Sequence, residues 1–182
     1  ENRTFNPKCQ EIIQNWMNTL KDSFVEPVYK DNLKDELRDI NKIWRPRLFC
    51  GSDIFQCIVM KMLTGDVVAY LKKNRLEGAS CVGLNPYSME WNQWFEKIDI
   101  FGGKYIAGDF SNYDQTIPGW FWYPFFLFLN SYYKYQEGTD SFNRLKHICM
   151  GLPYHAHIRR RFMYRVCRGN PSGCWLTSFY NS

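Results

Sequence analysis

The sequence predicts an α+β fold, on three observations. Apolar residues recur at helical spacing at Ile12, Ile13, Trp16, Met17 and Leu20, and again at Ile54, Ile58, Met62, Val67 and Leu71. Phe162, Tyr164 and Val166 alternate with other residues in the two-residue rhythm of a strand. Between these regions an apolar run, Tyr105-Ile106-Ala107, leads into a carboxylate at Asp109, with a second at Asp114. The 182 residues suffice for one well-filled core or for two lobes that share a boundary. Aromatic residues make up 18% of the chain, which fits a packed polypeptide and excludes a disordered one.

A net charge of +5 is compatible with a polyanionic partner and equally with an ordinary solvated surface. Seven cysteines, an odd number without any Cys-x-x-Cys pair, predict free thiols in a reducing compartment. His147, His155 and His157 could assemble a zinc site, yet no Cys or His pairing has finger spacing. No secretory signal opens the chain. The longest apolar run, Trp120 to Leu129, is far short of the roughly 20 residues that cross a bilayer and contains Pro124, so no membrane span is expected. The chain starts without Met and stops inside what reads as a new helix, as a fragment would.

Taken in order, Asn6-Pro7 has the form of an N-cap followed by Pro at the first helical position, and the helix should end near Ser23. From Tyr29 to Phe49 charges crowd together. One reading is a solvated loop or hairpin. The other is a phosphate cradle, with Arg38, Lys42 and Arg47 carried on a partly buried framework of Leu37, Ile40, Ile43, Trp44, Leu48 and Phe49. Asp53 is placed to cap a helix running to Leu76 and interrupted at Gly65. A tight loop, Val82 to Ser88, precedes a short amphipathic helix that should bury Trp91, Trp94, Phe95 and Ile98.

After the Gly102-Gly103 turn comes the predicted strand ending at Asp109. A buried carboxylate there would suit a divalent cation, while an ordinary strand-to-helix turn explains the same residues. Pro118 to Gln136 reads as a helix apolar on all sides, buried between layers and kinked or broken at Pro124. Ser141 to Leu152 is another helix, and Ile158 to Cys167 a basic strand or hairpin. Its arginines, Arg159, Arg160, Arg161 and Arg165, together with Arg168, suit a polyanion or a plain wet face. Gly169 and Gly173 bracket a flexible turn feeding a helix whose N-terminus can face a phosphate or sugar. The turn is not a P-loop, and Asp109 to Asp114 is not an EF-hand. On helical spacing Thr177 and Asn181 share a face, as do Ser178 and Ser182.

These motifs, in this order, resemble the viral RNA-dependent RNA polymerases of the picornavirus-like group. Lys34-Asp-Glu-Leu-Arg38 with Lys42 and Arg47 is similar to the basic fingers motif that grips an incoming triphosphate, although the Lys42 to Arg47 interval is shorter than usual. Cys81 to Ser88 is similar to the segment before the palm. Gly108-Asp-Phe-Ser-Asn-Tyr-Asp114 resembles palm motif A, and Gly169-Asn-Pro-Ser-Gly173 through Thr177 and Asn181 resembles motif B. The resemblance covers residues 30 to 182 and leaves the first 29 aside.

The resemblance implies a right-hand architecture: fingers over 1–103 with the basic motif at 34–47, an RRM-like, ferredoxin-like palm of antiparallel strands over 104–148, a fingers return at 149–168, and palm again from 169. It implies template-directed RNA synthesis from nucleoside triphosphates on an RNA template and primer, with Mg2+ or Mn2+ in a two-metal site. Asp109 and the Phe110 carbonyl would be metal ligands. Lys34, Arg38, Lys42 and Arg47 would neutralise the triphosphate. Asp114, Ser172, Thr177 and Asn181 would sense the ribose 2'-hydroxyl. Arg159, Arg160, Arg161, Arg165, Arg168 and Gly173 would meet RNA. The Gly-Asp-Asp of motif C and the thumb are expected beyond Ser182, so the chain alone should be inactive and poorly soluble. Host cytoplasm and other viral replication proteins are implied surroundings. The competing reading is a non-enzymatic RNA-binding or interaction module made from the same basic and aromatic residues. A cellular nucleotide-binding enzyme lacks its phosphate-loop signature.

Overall fold

Local signals set most helix boundaries. A computed structural model describes residues 5–37, 39–42, 44, 46–78 and 80–182, apart from the side chains of Lys42 and Phe101. Helix α1 (Pro7–Asp22) starts where the Asn6 side chain accepts from Lys8 N, with Pro7 at a position whose missing N–H costs nothing. Helix α2 (Ile54–Lys73) is capped by Asp53, which accepts from Phe55 N and Gln56 N. Gly65 does not interrupt it. Helix α3 (Met89–Ile98) is capped by Ser88, α4 (Tyr113–Thr116) is a single turn, and α5 (Trp122–Tyr133) follows a 3-10 turn at Gly119–Phe121. Helix α6 (Asp140–Met150) is capped by Thr139, and α7 (Thr177–Tyr180) is again one turn.

Four strands, β1 (Val28–Leu33), β2 (Leu48–Ser52), β3 (Tyr154–Arg159) and β4 (Phe162–Cys167), form one sheet in the order β2-β1-β3-β4. The β1–β2 and β3–β4 pairs are antiparallel hairpins, while β1 and β3 run parallel, with Tyr29 beside His157. The sheet is therefore mixed and lies in the segments assigned to the fingers, while the antiparallel palm strands expected over 104–148 are not found among the described residues. It joins residues 28–52 to 154–167 and includes nothing from 104–148. The predicted strand at Tyr105–Ala107 is absent as a strand: the segment lies outside regular structure and Ile106 is fully exposed. A strand is held by its ladder, and no described strand lies beside this one.

The core lies among the helices and on one face of the sheet. Helix α6 packs against α1 and α5, and α2 against all three. Helix α2, apolar on most of its girth, buries Gln56, Val59, Met60, Thr64, Val67 and Val68 along one i, i+3, i+4 face. Gln56 Nε2 donates to the Tyr29 hydroxyl at 2.7 Å, tying the helix to β1. Among the described residues α2 alone is long and apolar enough to cross a membrane, which the sequence reading overlooked; here it is the central core helix, with a third of its apolar window buried. Leu176 and Tyr180 plug the same core, the Tyr180 ring meeting Phe125 edge-on at 5.0 Å.

Several expected burials are reversed. On α3, Trp91 and Phe95 are exposed and Trp94 and Ile98 only partly covered, the Tyr105 ring 6.3 Å from Phe95 giving only partial cover. Pro124 causes no kink. It stands in the first turn of α5, where a backbone N–H has no helical partner to lose. Helix α5 buries Phe125, Phe126 and Leu129 but exposes Tyr123, Leu127 and Phe128, so it covers a core on one side only. Along β4, an edge strand, Phe162 and Tyr164 stay exposed, as do Met163 and Arg165 on the other face, so the expected inward alternation is not seen. All seven cysteines are free, as expected.

Candidate active site

The segment carrying Asp109 and the Gly169–Gly173 turn are joined through backbone. Gly169 N donates to Ile117 O at 2.8 Å and Asn170 N to Asp114 O at 2.6 Å. The approach demands glycine: Gly169 has φ +83°, and a Cβ there would lie 2.8 Å from the Asp114 carbonyl oxygen. The far end of the turn docks on β2. A Cβ at Gly173 would fall 1.8 Å from the Cys50 carbonyl oxygen, the Ser52 hydroxyl donates to Gly173 O at 2.8 Å, and Cys50 N donates to Ser172 Oγ at 3.2 Å. Gly173 thus serves close packing between loop and sheet, a role distinct from the RNA contact expected of it.

Asp109 itself is exposed and makes no hydrogen bond or ion pair among the described residues. Phe110 is exposed beside it, its ring 5.2 Å from that of Tyr113. Asp114 is half-buried in the first turn of α4. The expected ribose-sensing set is largely engaged internally. The Thr177 hydroxyl reaches Pro171 O at 2.7 Å and Cys174 O at 2.9 Å, and Asn181 Oδ1 accepts from Asn170 Nδ2 at 2.8 Å. Thr177 and Asn181 stand one helical turn apart, Asn181 N donating to Thr177 O at 3.1 Å, so they are paired as expected, while the Thr177 hydroxyl turns back into the loop. Asn170 is the residue the sequence reading passed over. Buried, it also donates to Thr177 O at 3.1 Å, and its Oδ1 has no partner among the described residues. A lone Asn between Gly and Pro gives only a turn signal, so nothing local marks it as the hub.

The basic segment is the loop of the β1–β2 hairpin, which Lys34 N extends by donating to Arg47 O. Lys34 and Arg47 flank Glu36, with Nζ at 3.5 Å and Nη1 at 3.4 Å from its Oε2. Both cations are exposed while the Glu36 carboxylate they share is partly covered. Arg38 and Arg45, together with the Lys42 side chain and Ile43, lie outside the described residues. The framework expected to carry these cations is not buried: Leu37, Ile40 and Trp44 are exposed. Arg159, Arg160 and Arg161 crowd the β3–β4 turn, Arg160 at φ +55°, and Arg168 is exposed beyond it. Arg165 is held by Glu26, Nε to Oε1 at 2.7 Å.

A sequence model of the family described as viral RNA-dependent RNA polymerase matches residues 1–182. The chain belongs to that family. The match takes in the first 29 residues, which the motif resemblance had left aside; Pro7–Asp22 among them form α1, packed on α2 and α6. The replicase polyprotein of Acute bee paralysis virus is 29% identical over 167 residues, covering 90% of this chain and 9% of the polyprotein. That of Cricket paralysis virus is 29% identical over 186 residues, 94% of this chain and 10% of the polyprotein. A Sicinivirus 3Dpol RNA dependent RNA polymerase matches in structure with a TM-score of 0.76 at 22% identity, over 96% of this chain and 36% of that one. This RNA polymerase family member therefore has the α+β polymerase fold over nearly its whole length, and spans about a third of a solved polymerase and a tenth or less of the two polyproteins.

The donor chemistry at Asp109, a carboxylate beside the Phe110 carbonyl, suits a hard divalent cation, and the absence of an internal partner leaves the carboxylate free to take one. It is not, however, among three clustered metal-binding side chains. The one such group among the described residues is Asp31, Cys50 and His157, on the sheet. His147 and His155 are not in that group; each Nδ1 lies against a backbone carbonyl, Leu20 O at 2.9 Å and Leu152 O at 2.8 Å.

Proposed function

We propose that these residues are the fingers and the first part of the palm of an enzyme that copies RNA by nucleotidyl transfer from nucleoside triphosphates to an RNA 3'-hydroxyl. One observation carries this reading: the backbone lock of Asp114 and Ile117 onto Gly169 and Asn170, which holds the Asp109 segment and the glycine-bounded turn side by side while Asp109 remains unpartnered. In this reading residues 1–103 and 149–168 form the fingers, and 104–148 with 169–182 belong to the palm.

Asp109 and the Phe110 carbonyl would hold a divalent ion, with Mg2+ or Mn2+ favoured by all-oxygen donors. Such an ion, when bound, lowers the charge barrier at the transferring phosphorus and favours the ionised 3'-hydroxyl. Further carboxylates would come from a Gly-Asp-Asp, a motif that does not occur within residues 1–182. Lys34, Arg47, Arg38 and Lys42 would take the triphosphate, the first two exchanging Glu36 for phosphate oxygens. Asp114 is the ribose-facing candidate; Asn181 acts with Asn170, which fixes its amide. The arginines at 159–161 and 168 would carry RNA backbone, in a host-cytoplasmic replication complex.

The test is primer extension with a polymerase chain containing these residues beside residues 1–182 alone. The longer chain is expected to extend and the shorter one not. Asp114→Ala or Asn181→Ala in the longer chain should relax selection against deoxynucleotides; unchanged selectivity would remove both from the ribose site.

A further inference from the structure

Outside the Asp109 segment, the covered face of the sheet carries one group of side chains that nucleotidyl transfer does not use. Strand register puts it together. Asp31 lies opposite Cys50 across β1–β2, His157 opposite Tyr164 across β3–β4, and the parallel β1–β3 pair sets Tyr29 beside His157. One carboxylate thus meets residues of all the other strands. Its Oδ1 is 2.6 Å from His157 Nδ1, and its Oδ2 accepts from the Tyr164 hydroxyl at 2.6 Å. Burial alone would raise the Asp31 pKa; the hydrogen bonds from Tyr164 and His157 and the imidazole beside it outweigh that and hold it below the usual carboxylate range. The His157 ring lies parallel to that of Tyr164 at 5.1 Å.

A hydrogen-bonded Asp–His–Tyr triad is complete without a thiol, which is a weak donor. Cys50 is nevertheless aimed into the group, and one ligand atom each from Asp31, Cys50 and His157 lies within 4.8 Å of the other two. Oxygen, nitrogen and sulfur donors converging from three strands are the ligand set of zinc, whereas a hard cation has no use for sulfur. Tetrahedral zinc, with bonds of about 2.0–2.3 Å, needs its ligands roughly 3.3–3.7 Å apart. The Asp31–His157 contact would open slightly and the thiol close in, shifts within reach of side-chain rotation. Tyr164 on the second carboxylate oxygen supplies the outer hydrogen bond that orients a metal-bound carboxylate.

We propose that Asp31, Cys50 and His157 form a mononuclear zinc site, with water as the fourth ligand on the side where Cys50 is only half-buried. On binding, the thiol proton leaves to solvent and the imidazole proton on Nδ1 passes to Nε2. The carboxylate and thiolate then balance the dication, so no net charge stays in the covered group. The site pins β2 to β1 and β3. Because Cys50 N also donates to Ser172 Oγ and Ser52 holds Gly173 O, it stiffens the platform under the 169–173 turn. The assignment stands apart from the polymerase reading, since it is read out by metal and sulfur and not by RNA synthesis.

Cobalt(II) titration of the zinc-stripped polymerase chain that contains these residues should give a sulfur-to-cobalt charge-transfer band, lost in Cys50→Ser and kept in the exposed control Cys167→Ser. Metal analysis of the purified chain should show one equivalent of zinc that Cys50→Ser lacks. Tyr164→Phe should keep the band with affinity about 10- to 100-fold weaker. In case the Cys50 variant misfolds, alkylation of the unaltered chain, mapped by mass spectrometry, should show zinc protecting Cys50 while Cys167 stays reactive. A folded chain without the band, a band that survives Cys50→Ser, or Cys50 alkylation indifferent to zinc would each overturn the site and leave a hydrogen-bonded triad.

Discussion

The sheet with its docked turn and the Asp109 segment are built on opposite rules. At the centre of the sheet the buried carboxylate of Asp31 has two partners at 2.6 Å, and Gly173 sits where a single added carbon would strike Cys50 O. Around Asp109, by contrast, residues 104–110 lie outside regular structure, exposed and without a ladder. The first region stores positional accuracy, since every group there is determined by several neighbours. The second presents a carboxylate and apolar side chains, Ile106 and Phe110 among them, directly to solvent. Chemistry sits on the open segment and precision comes from the closed one, with the two joined at Gly169–Asn170.

Substitutions should therefore separate activity from stability. The largest effect is expected for Asp109→Asn in a polymerase chain containing these residues. Nucleotide incorporation should fall by at least about 100-fold, while unfolding stability changes by no more than about 0.5 kcal/mol because the carboxylate has no partner among the described residues. Retained incorporation would break the contrast at its functional end, and a large loss of stability at its structural one.

Gly173→Ala should do the reverse, costing about 1–3 kcal/mol in urea unfolding because Cys50 O must move to admit the methyl group. A neutral result would mean that the turn is less tightly docked than its 1.8 Å clearance requires.

Asn170→Ala falls between the two. It leaves Asn181 Oδ1 without its donor and Thr177 O with the Asn181 N–H alone, at a cost of about 1–2 kcal/mol, and frees the Asn181 amide, so both stability and ribose selection should move. If only stability moves, Asn181 has no part in ribose recognition.

The smallest effects belong to the arginines. Arg161→Ala should lower the salt slope of RNA binding by about one, while Arg165→Ala, already paired with Glu26, should lower it less and change stability by under about 1 kcal/mol. Equal slopes would show that the Glu26 pair opens when RNA binds.

The sequence by itself determined what short-range forces control. Asn6, Asp53, Ser88 and Thr139 were legible as helix starts or fell beside them, because a cap acts on an N–H two or three residues away. The polymerase motifs were legible too, each being a compact run such as Gly108 to Asp114 whose meaning survives without its neighbours. Burial was less legible. Trp91 and Phe95 have the spacing of a core face, but spacing says which residues share a face and not whether anything covers it.

Only the tertiary structure decided how distant segments meet. The parallel pairing of Val28–Lys30 with Ala156–Ile158 spans most of the chain and leaves no local trace, since a ladder uses backbone groups that every residue has. That pairing brings His157 to Asp31 and Cys50, three residues that the sequence shows only as scattered metal-binding types. It also decided that the Tyr105–Ala107 run is no strand here, because a strand exists only with a partner to complete its hydrogen bonds.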